Sequence, residues 1–398
     1  MPISKYIKET MTSKGSGVIR KMFEEGVRLK KQYGDDKVFD FSLGNPDLDP
    51  PEEVFAAIEK FAAVREKNTH GYMPNAGYPF AREAMAKKTS EEQGVAISGD
   101  CVVMSVGAAG ALNSLLKAIL NDGDTVIVPS PFFTEYRHYV KNFGGTLVEV
   151  PTKSDFSIDI KAIESALTKD TAAVLINSPN NPTGRVYSQE EINELAAVLE
   201  RHARSCGRKP YLICDEPYRA IIYDGKKVAS SFPAYDSSIV VTSFAKNLSL
   251  PGERIGYICV NPACPDKDEV VAACIFTTRV LGYVNAPALF QKVVAESWNA
   301  PADYSLYKKR RDELVSILDE AGIVHASPDG AFYLWCKVPD NFNGDDMDFT
   351  DYLKKYLILA APGSGFGGKG WFRLAYCVSE KSILDSRTAF LKAMADLK

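Results

Sequence analysis

The chain has 398 residues, with 47 Lys and Arg against 51 Asp and Glu for a formal charge of −4, and it is 45% hydrophobic, 25% charged and 11% aromatic. Such proportions exclude an intrinsically disordered polymer, and the length suits two domains or one large α/β unit with an appendage. A slight acidic excess with no basic run argues against a nucleic-acid surface, where clustered Lys and Arg must neutralise phosphate.

The first 23 residues hold no apolar stretch of a secretory signal, and no run of 18 apolar residues occurs anywhere. A cytoplasmic protein with no membrane partner is therefore expected. Helical periodicity begins at 16–33. Seven short β-rich runs follow at 102–106, 125–129, 146–150, 172–177, 211–215, 239–243 and 256–260. Most are continuously apolar, which predicts strands covered on both faces. Helical patterns separate the early ones. Residues 108–120 form one, stopped by Asn121, Asp122, Gly123 and Asp124. Another covers 189–203, opened by Ser188 with Glu191 three residues on, a capping box. Strand–helix alternation predicts an α/β fold: a mainly parallel seven-stranded sheet sandwiched by helices, over about 48–285.

The last third changes character. A long helix is predicted over 303–321, and its Lys308, Lys309, Arg310 and Arg311 read as a solvated face. A strand-like run (330–338), a polar loop, a helix, a Gly-rich turn (362–370), a strand (371–378) and a final helix complete a smaller α+β unit. That unit is expected to combine 286–398 with 1–47. The eight cysteines form no CxxC pair, and several sit in apolar runs, as reduced structural thiols do. The four histidines are scattered, so no metal site is expected.

In open α/β sheets ligands sit at the carboxyl ends of the strands. After Val106 comes Gly107-Ala108-Ala109-Gly110 at a helix start, either packing chemistry or a cradle of backbone N–H groups for an anion. After Asn177 comes SPNNPTG, a rigid turn that can aim Asn180 or Asn181. Asp215, Glu216, Pro217 and Tyr218 end another strand. A buried Asp there either caps a structural network or faces a protonated ligand nitrogen. Ser243, Phe244, Ala245 and Lys246 follow the next strand, and Arg254 precedes the last. Assembled on one sheet edge, these groups suit pyridoxal 5′-phosphate. The Gly107 nest, Ser243 and Arg254 fit its phosphate. Asn181 and Tyr218 fit its phenolic oxygen, Asp215 its ring nitrogen and Lys246 its aldehyde.

From about residue 15 to 395 the chain resembles the class I/II aminotransferases of pyridoxal-phosphate fold type I. The carrying segments are SLGNPD (42–47), GY (71–72) with GYP (77–79), the run 106–112, SPNNPTG (178–184), DEPY (215–218), SFAK (243–246), RIGY (254–257) and WFRL (371–374). The resemblance implies that Lys246 is the Schiff-base lysine and proton shuttle, with Asp215 on the pyridine nitrogen. Asn181 and Tyr218 would meet the ring hydroxyl. Gly107, Ala108, Ala109, Ser243 and Arg254 would meet the phosphate, and Phe133 would stack on the ring. Arg373 would grip the substrate α-carboxylate, with Gly44 and Asn181 beside it. Tyr72 would reach the phosphate of a neighbouring subunit, so a homodimer with composite sites is expected. Substrates would be an amino acid and a 2-oxo acid, exchanged by a ping-pong mechanism. Arg279 falls in a segment that approaches the partner's site and is a candidate for a distal carboxylate. A pyridoxal-phosphate C–S β-lyase or decarboxylase is the alternative, because it would share every cofactor residue.

Overall fold

The computed structural model describes residues 3–12 and 18–397. Ser16 and Gly17, the expected start of the first long helix, lie outside the described residues, as do Met1, Pro2 and Lys398. The chain opens with α1 (Lys5–Thr12) and α2 (Val18–Tyr33), then β1 (Phe39–Asp40), α3 (Glu52–Ala62) and α4 (Pro79–Gln93). Pro79 occupies the first turn of α4, where its missing N–H has no helical partner to lose. The central portion runs β2 (Val102–Ser105), α5 (Gly107–Ile119), β3 (Thr125–Ser130), α6 (Tyr136–Lys141), β4 (Thr146–Pro151), α7 (Ile160–Ala166), β5 (Thr171–Asn177) and α8 (Gln189–Cys206). It continues with β6 (Tyr211–Asp215), β7 (Ser238–Ser243) and β8 (Gly256–Val260). The capping box of α8 is present, with Ser188 accepting from Glu191 N–H and Glu191 accepting in return. The C-terminal portion holds α9 (Lys267–Val280), α10 (Ala288–Ser297), α11 (Ser305–Ala321), β9 (Tyr333–Lys337), α12 (Asp346–Leu353), β10 (Ile358–Leu359), β11 (Ala361–Pro362), β12 (Trp371–Ala375) and α13 (Glu380–Ala395).

All seven expected strands join one sheet, in the order β2-β8-β7-β6-β5-β3-β4. Five of them, β4, β3, β5, β6 and β7, run parallel, while β8 is antiparallel to both of its neighbours. The β7–β8 connection contains no crossover helix, so the chain returns in the opposite direction. Side-chain alternation supplies a core to each face. Val126 and Val128 pack with Leu115 and Ile258 on one side, and Ile127 packs with Leu195 and Val240 on the other. Each such residue, fully buried, contributes roughly 1.5–3 kcal/mol.

A smaller antiparallel sheet, β11-β12-β9, packs with α11 and α13 around Phe332, Leu334, Leu374 and Phe390. The N-terminal segment packs on this unit. β1 pairs with β10, Leu29 of α2 touches Val38 and Leu359, and Phe41 enters the core. Helix α10 behaves differently: its Val293 and Val294 lie in the core with Val54 and Ala57 of α3, on the central sheet's side. The basic cluster of α11 also departs from expectation. Lys308 and Lys309 pair at the surface with Asp312 and Glu380, but Arg310 and Arg311 are buried, bonded to Asp47 and Asp224 at 2.6 Å. Their acidic partners come from distant stretches of chain that fold against α11. Among the described residues no helix is long and apolar enough to cross a membrane, and no cluster of metal-ligating side chains occurs.

Candidate active site

The carboxyl ends of β5, β6 and β7 lie side by side, and each closes with a polar residue: Asn177, Asp215 and Ser243. In-register pairing sets Asn177 beside Asp215. Asn177 then acts as a clamp, its Nδ2 donating to the Asp215 carbonyl (2.8 Å) and its Oδ1 accepting from the Asn181 N–H (2.7 Å). The turn after β5 is thereby fixed to the end of β6.

These ends border a cavity of about 180 Å³. Ala108, Ala109, Phe133, Asn181, Asp215, Tyr218, Ser243, Lys246 and Arg254 all line it. Gly107 begins α5 at the cavity edge with φ +68°, and a Cβ there would come 2.9 Å from Arg254 Nη2. Gly107 thus lets a guanidinium lie against a helix N-terminus, and both favour an anion.

Asp215 is buried, and the Tyr136 hydroxyl donates to its Oδ2 at 2.5 Å. Its Oδ1 is also buried and has no partner among the described residues. Burial pushes this carboxyl up to about 7, against the opposing pull of the Tyr136 hydrogen bond and with a small push from Glu216. Lys246 shows the converse. Exclusion from water brings its amine down to about 8; Cys377 opposes this, and Arg373 and Arg254 add to it. Its Nζ donates to the Gly44 carbonyl at 2.7 Å. Arg373 is buried, donating from Nη1 to Asn181 Oδ1 (2.8 Å) and from Nη2 to the Ser42 carbonyl (2.7 Å). Its Nε is buried without a partner. Hydrogen bonds thus tie Lys246 to Gly44 and Arg373 to Asn181 and Ser42.

Two expected residues stand apart. Tyr72 is 94% exposed and borders a separate depression with His70 and Tyr283. Arg279 lies exposed in the last turn of α9, its guanidinium 5.3 Å above the Phe276 ring. Neither reaches the cavity of its own chain. Four residues escaped the sequence reading: Asn177, Tyr136, Tyr139 and Tyr333. Tyr139 lines the cavity, and the Tyr333 hydroxyl lies 2.7 Å from that of Tyr218. Tyr136 stands three residues after Phe133, and the two rings meet edge to face at 5.5 Å.

The residues fit pyridoxal 5′-phosphate by donor and charge. An unpartnered buried carboxylate oxygen suits a protonated ring nitrogen. An amine of lowered basicity suits attack on an aldehyde, and the Gly107–Arg254 cradle suits a phosphate.

Comparison with known proteins agrees with this chemistry. The family model described as aminotransferase class I and II matches residues 36–385. The probable aspartate/prephenate aminotransferase of Aquifex aeolicus is 32% identical over 381 residues, covering 90% of this chain and 92% of that one. An amino transferase from Eubacterium rectale superposes with a TM-score of 0.94 at 37% identity, over 100% of both chains. The aspartate aminotransferase of Thermus thermophilus, solved with maleate, gives 0.88 at 28% identity, over 99% of this chain and 100% of that one.

Proposed function

The chain belongs to the aminotransferase class I and II family, a pyridoxal-phosphate-dependent family, and is an aminotransferase; from that premise we propose which residues do the work. An L-amino acid gives its amino group to the enzyme, leaves as a 2-oxo acid, and a second oxo acid takes the group up. The carrying observation is Asp215 Oδ1, buried and unpartnered, in the cavity that also holds the weakly basic Lys246.

When bound, pyridoxal 5′-phosphate supplies a positively charged ring that accepts the electrons left as the substrate Cα loses its proton. Asp215 holds that ring nitrogen protonated. The N–H groups of Gly107, Ala108 and Ala109, the Ser243 hydroxyl and the Arg254 guanidinium hold the phosphate. Phe133 covers the ring face, and Asn181 and Tyr218 donate to its oxygen. Arg373 binds the substrate α-carboxylate beside Gly44 and Asn181, a two-point contact suited to its planar fork. Lys246 Nζ, whose basicity burial lowers, leaves the Gly44 carbonyl and takes the Cα proton.

A second copy of the chain completes the site. Tyr72 reaches the partner's phosphate, and Arg279 meets a distal substrate carboxylate in the partner's pocket. The exposed Tyr72, Phe276 and Val280 support that interface. The chain divides into a cofactor unit over 48–285 and a smaller unit of 1–47 and 286–398 bearing Arg373, with α10 packing back on α3 through Val293 and Val294. A cytoplasmic location suits its free and mostly buried cysteines.

One experiment tests the reading. The purified enzyme is yellow, borohydride fixes the cofactor onto Lys246, and single-turnover spectra follow a donor panel against 2-oxoglutarate and pyruvate. Aspartate, named for several relatives, heads the panel. Lys246→Ala abolishes turnover, and Arg279→Ala loses more with aspartate than with alanine. Full transamination by Lys246→Ala would overturn the assignment. Pyruvate and ammonia released from cysteine without any oxo acid would favour the lyase instead.

A further inference from the structure

We propose that Tyr333 is a positioning residue: its hydroxyl donates to Tyr218 and so strengthens the hydrogen bond that Tyr218 gives to the cofactor's ring oxygen. The inference rests on the role assigned to Tyr218 above and adds a residue that acts through it.

Tyr333 opens β9, on the smaller sheet. Antiparallel register puts Ala375 opposite Tyr333 and Arg373 opposite Trp335, so Tyr333, Trp335 and Arg373 share one face of that sheet. The Arg373 guanidinium lies 4.5 Å from the Tyr333 ring centroid. The Tyr333 hydroxyl stands 2.7 Å from that of Tyr218, and the two rings meet edge to face at 5.6 Å. Space for this hydroxyl is made by Gly44, where a Cβ would come within 2.1 Å of it. Gly44 therefore serves twice, its carbonyl holding Lys246 and its missing side chain admitting Tyr333.

Proton counting sets the direction. A phenol carries one proton. If Tyr218 gives its proton to the ring oxygen, its own oxygen can only accept from Tyr333, which must then donate. Two hydrogen bonds in series polarise one another, so the second strengthens the first. A donor on that oxygen favours its anionic form and lowers the pH at which the lysine-bound chromophore loses its proton.

The test is that midpoint, read by absorbance on holoenzyme. Tyr218→Phe raises it. Tyr333→Phe raises it by a smaller step, ~0.3–0.5 of a pH unit. In the Tyr218→Phe background, Tyr333→Phe adds nothing. Because Phe keeps a ring beneath Arg373, KM for the amino acid changes less than about two-fold. A Tyr333→Phe midpoint equal to wild type while Tyr218→Phe shifts, or a full additional shift in the double variant, would overturn the inference and leave the cofactor assignment standing. A wild-type protein with no lysine-bound chromophore would instead overturn the assignment beneath it.

Discussion

Asp215 and Lys246 should give the cofactor-free protein a stability minimum near neutral pH, and cofactor should erase it. Burial raises the Asp215 carboxyl from 3.8 to about 7. Between those values the folded protein keeps a proton that the unfolded chain has released. The stability is present below the unfolded value and is lost as pH rises through the folded one. At ~1.4 kcal/mol per pH unit the loss reaches about 4 kcal/mol. Lys246, lowered from 10.5 to about 8, works in the opposite sense. Below about 8 its burial as a cation costs about 3 kcal/mol, and the cost is relieved as pH rises from 8 to 10.5. The falling limb ends where the rising limb begins, leaving a trough at about pH 7–8. On the proposed assignment, cofactor would supply a positive charge to Asp215 and a covalent bond to Lys246, so both limbs would vanish. Urea midpoints at fixed protomer concentration, from pH 5 to 10, measure this for apoprotein and reloaded enzyme. Asp215→Asn flattens the acid limb and Lys246→Met the alkaline one. A flat apoprotein profile, or an acid limb that survives Asp215→Asn, would refute the reasoning.

Two further predictions concern binding. Arg373→Lys keeps the charge but cannot reproduce the fork that spans Asn181 and Ser42. Losing one charge-assisted bond of ~1.5–3 kcal/mol lowers kcat/KM by roughly 10–100-fold, and unchanged steady-state kinetics would remove Arg373 from the carboxylate site. Gly107→Ala forces a side chain into φ +68° and against Arg254. The strain costs ~1–2 kcal/mol of stability, and the displaced Arg254 weakens cofactor binding about ten-fold by equilibrium dialysis.

The central sheet was legible because its strands are covered on both faces and so read as unbroken apolar runs. Strand direction was not: β8 reads like its neighbours, and only the missing crossover helix betrays its reversal. Candidate site residues stood out wherever a polar residue closes an apolar run, as Asp215 and Ser243 do, because a buried polar group there needs a partner that the strand does not supply. Tyr136 and Tyr333 carry no such mark. A tyrosine within an aromatic-rich stretch reads as core, and only assembly shows where its hydroxyl lands. Arg310 and Arg311 misled for a related reason, since four adjacent cations read as a wet surface until Asp47 and Asp224 arrive from elsewhere.

Electrostatics explain why so mild a net charge conceals a strongly biased site. Lys246, Arg254 and Arg373 converge on a cavity whose lining, among the described residues, holds one carboxylate, Asp215. Glu216, next in sequence, does not offset them because it is paired with Arg219 at 3.0 Å. In the protein alone these cations rest on neutral carbonyls: Lys246 on Gly44, Arg254 on Pro251 and Arg373 on Ser42. A carbonyl offers a cation less than an anion does. Arg373, with two of its donors engaged and Nε buried without a partner, has capacity for a carboxylate. Arg254, exposed beside a helix N-terminus, has capacity for a phosphate. Asp215, left with one bare oxygen, lacks a cation. On the proposed reading, a phosphorylated pyridinium together with an amino acid would meet these groups with two anions and one positive charge.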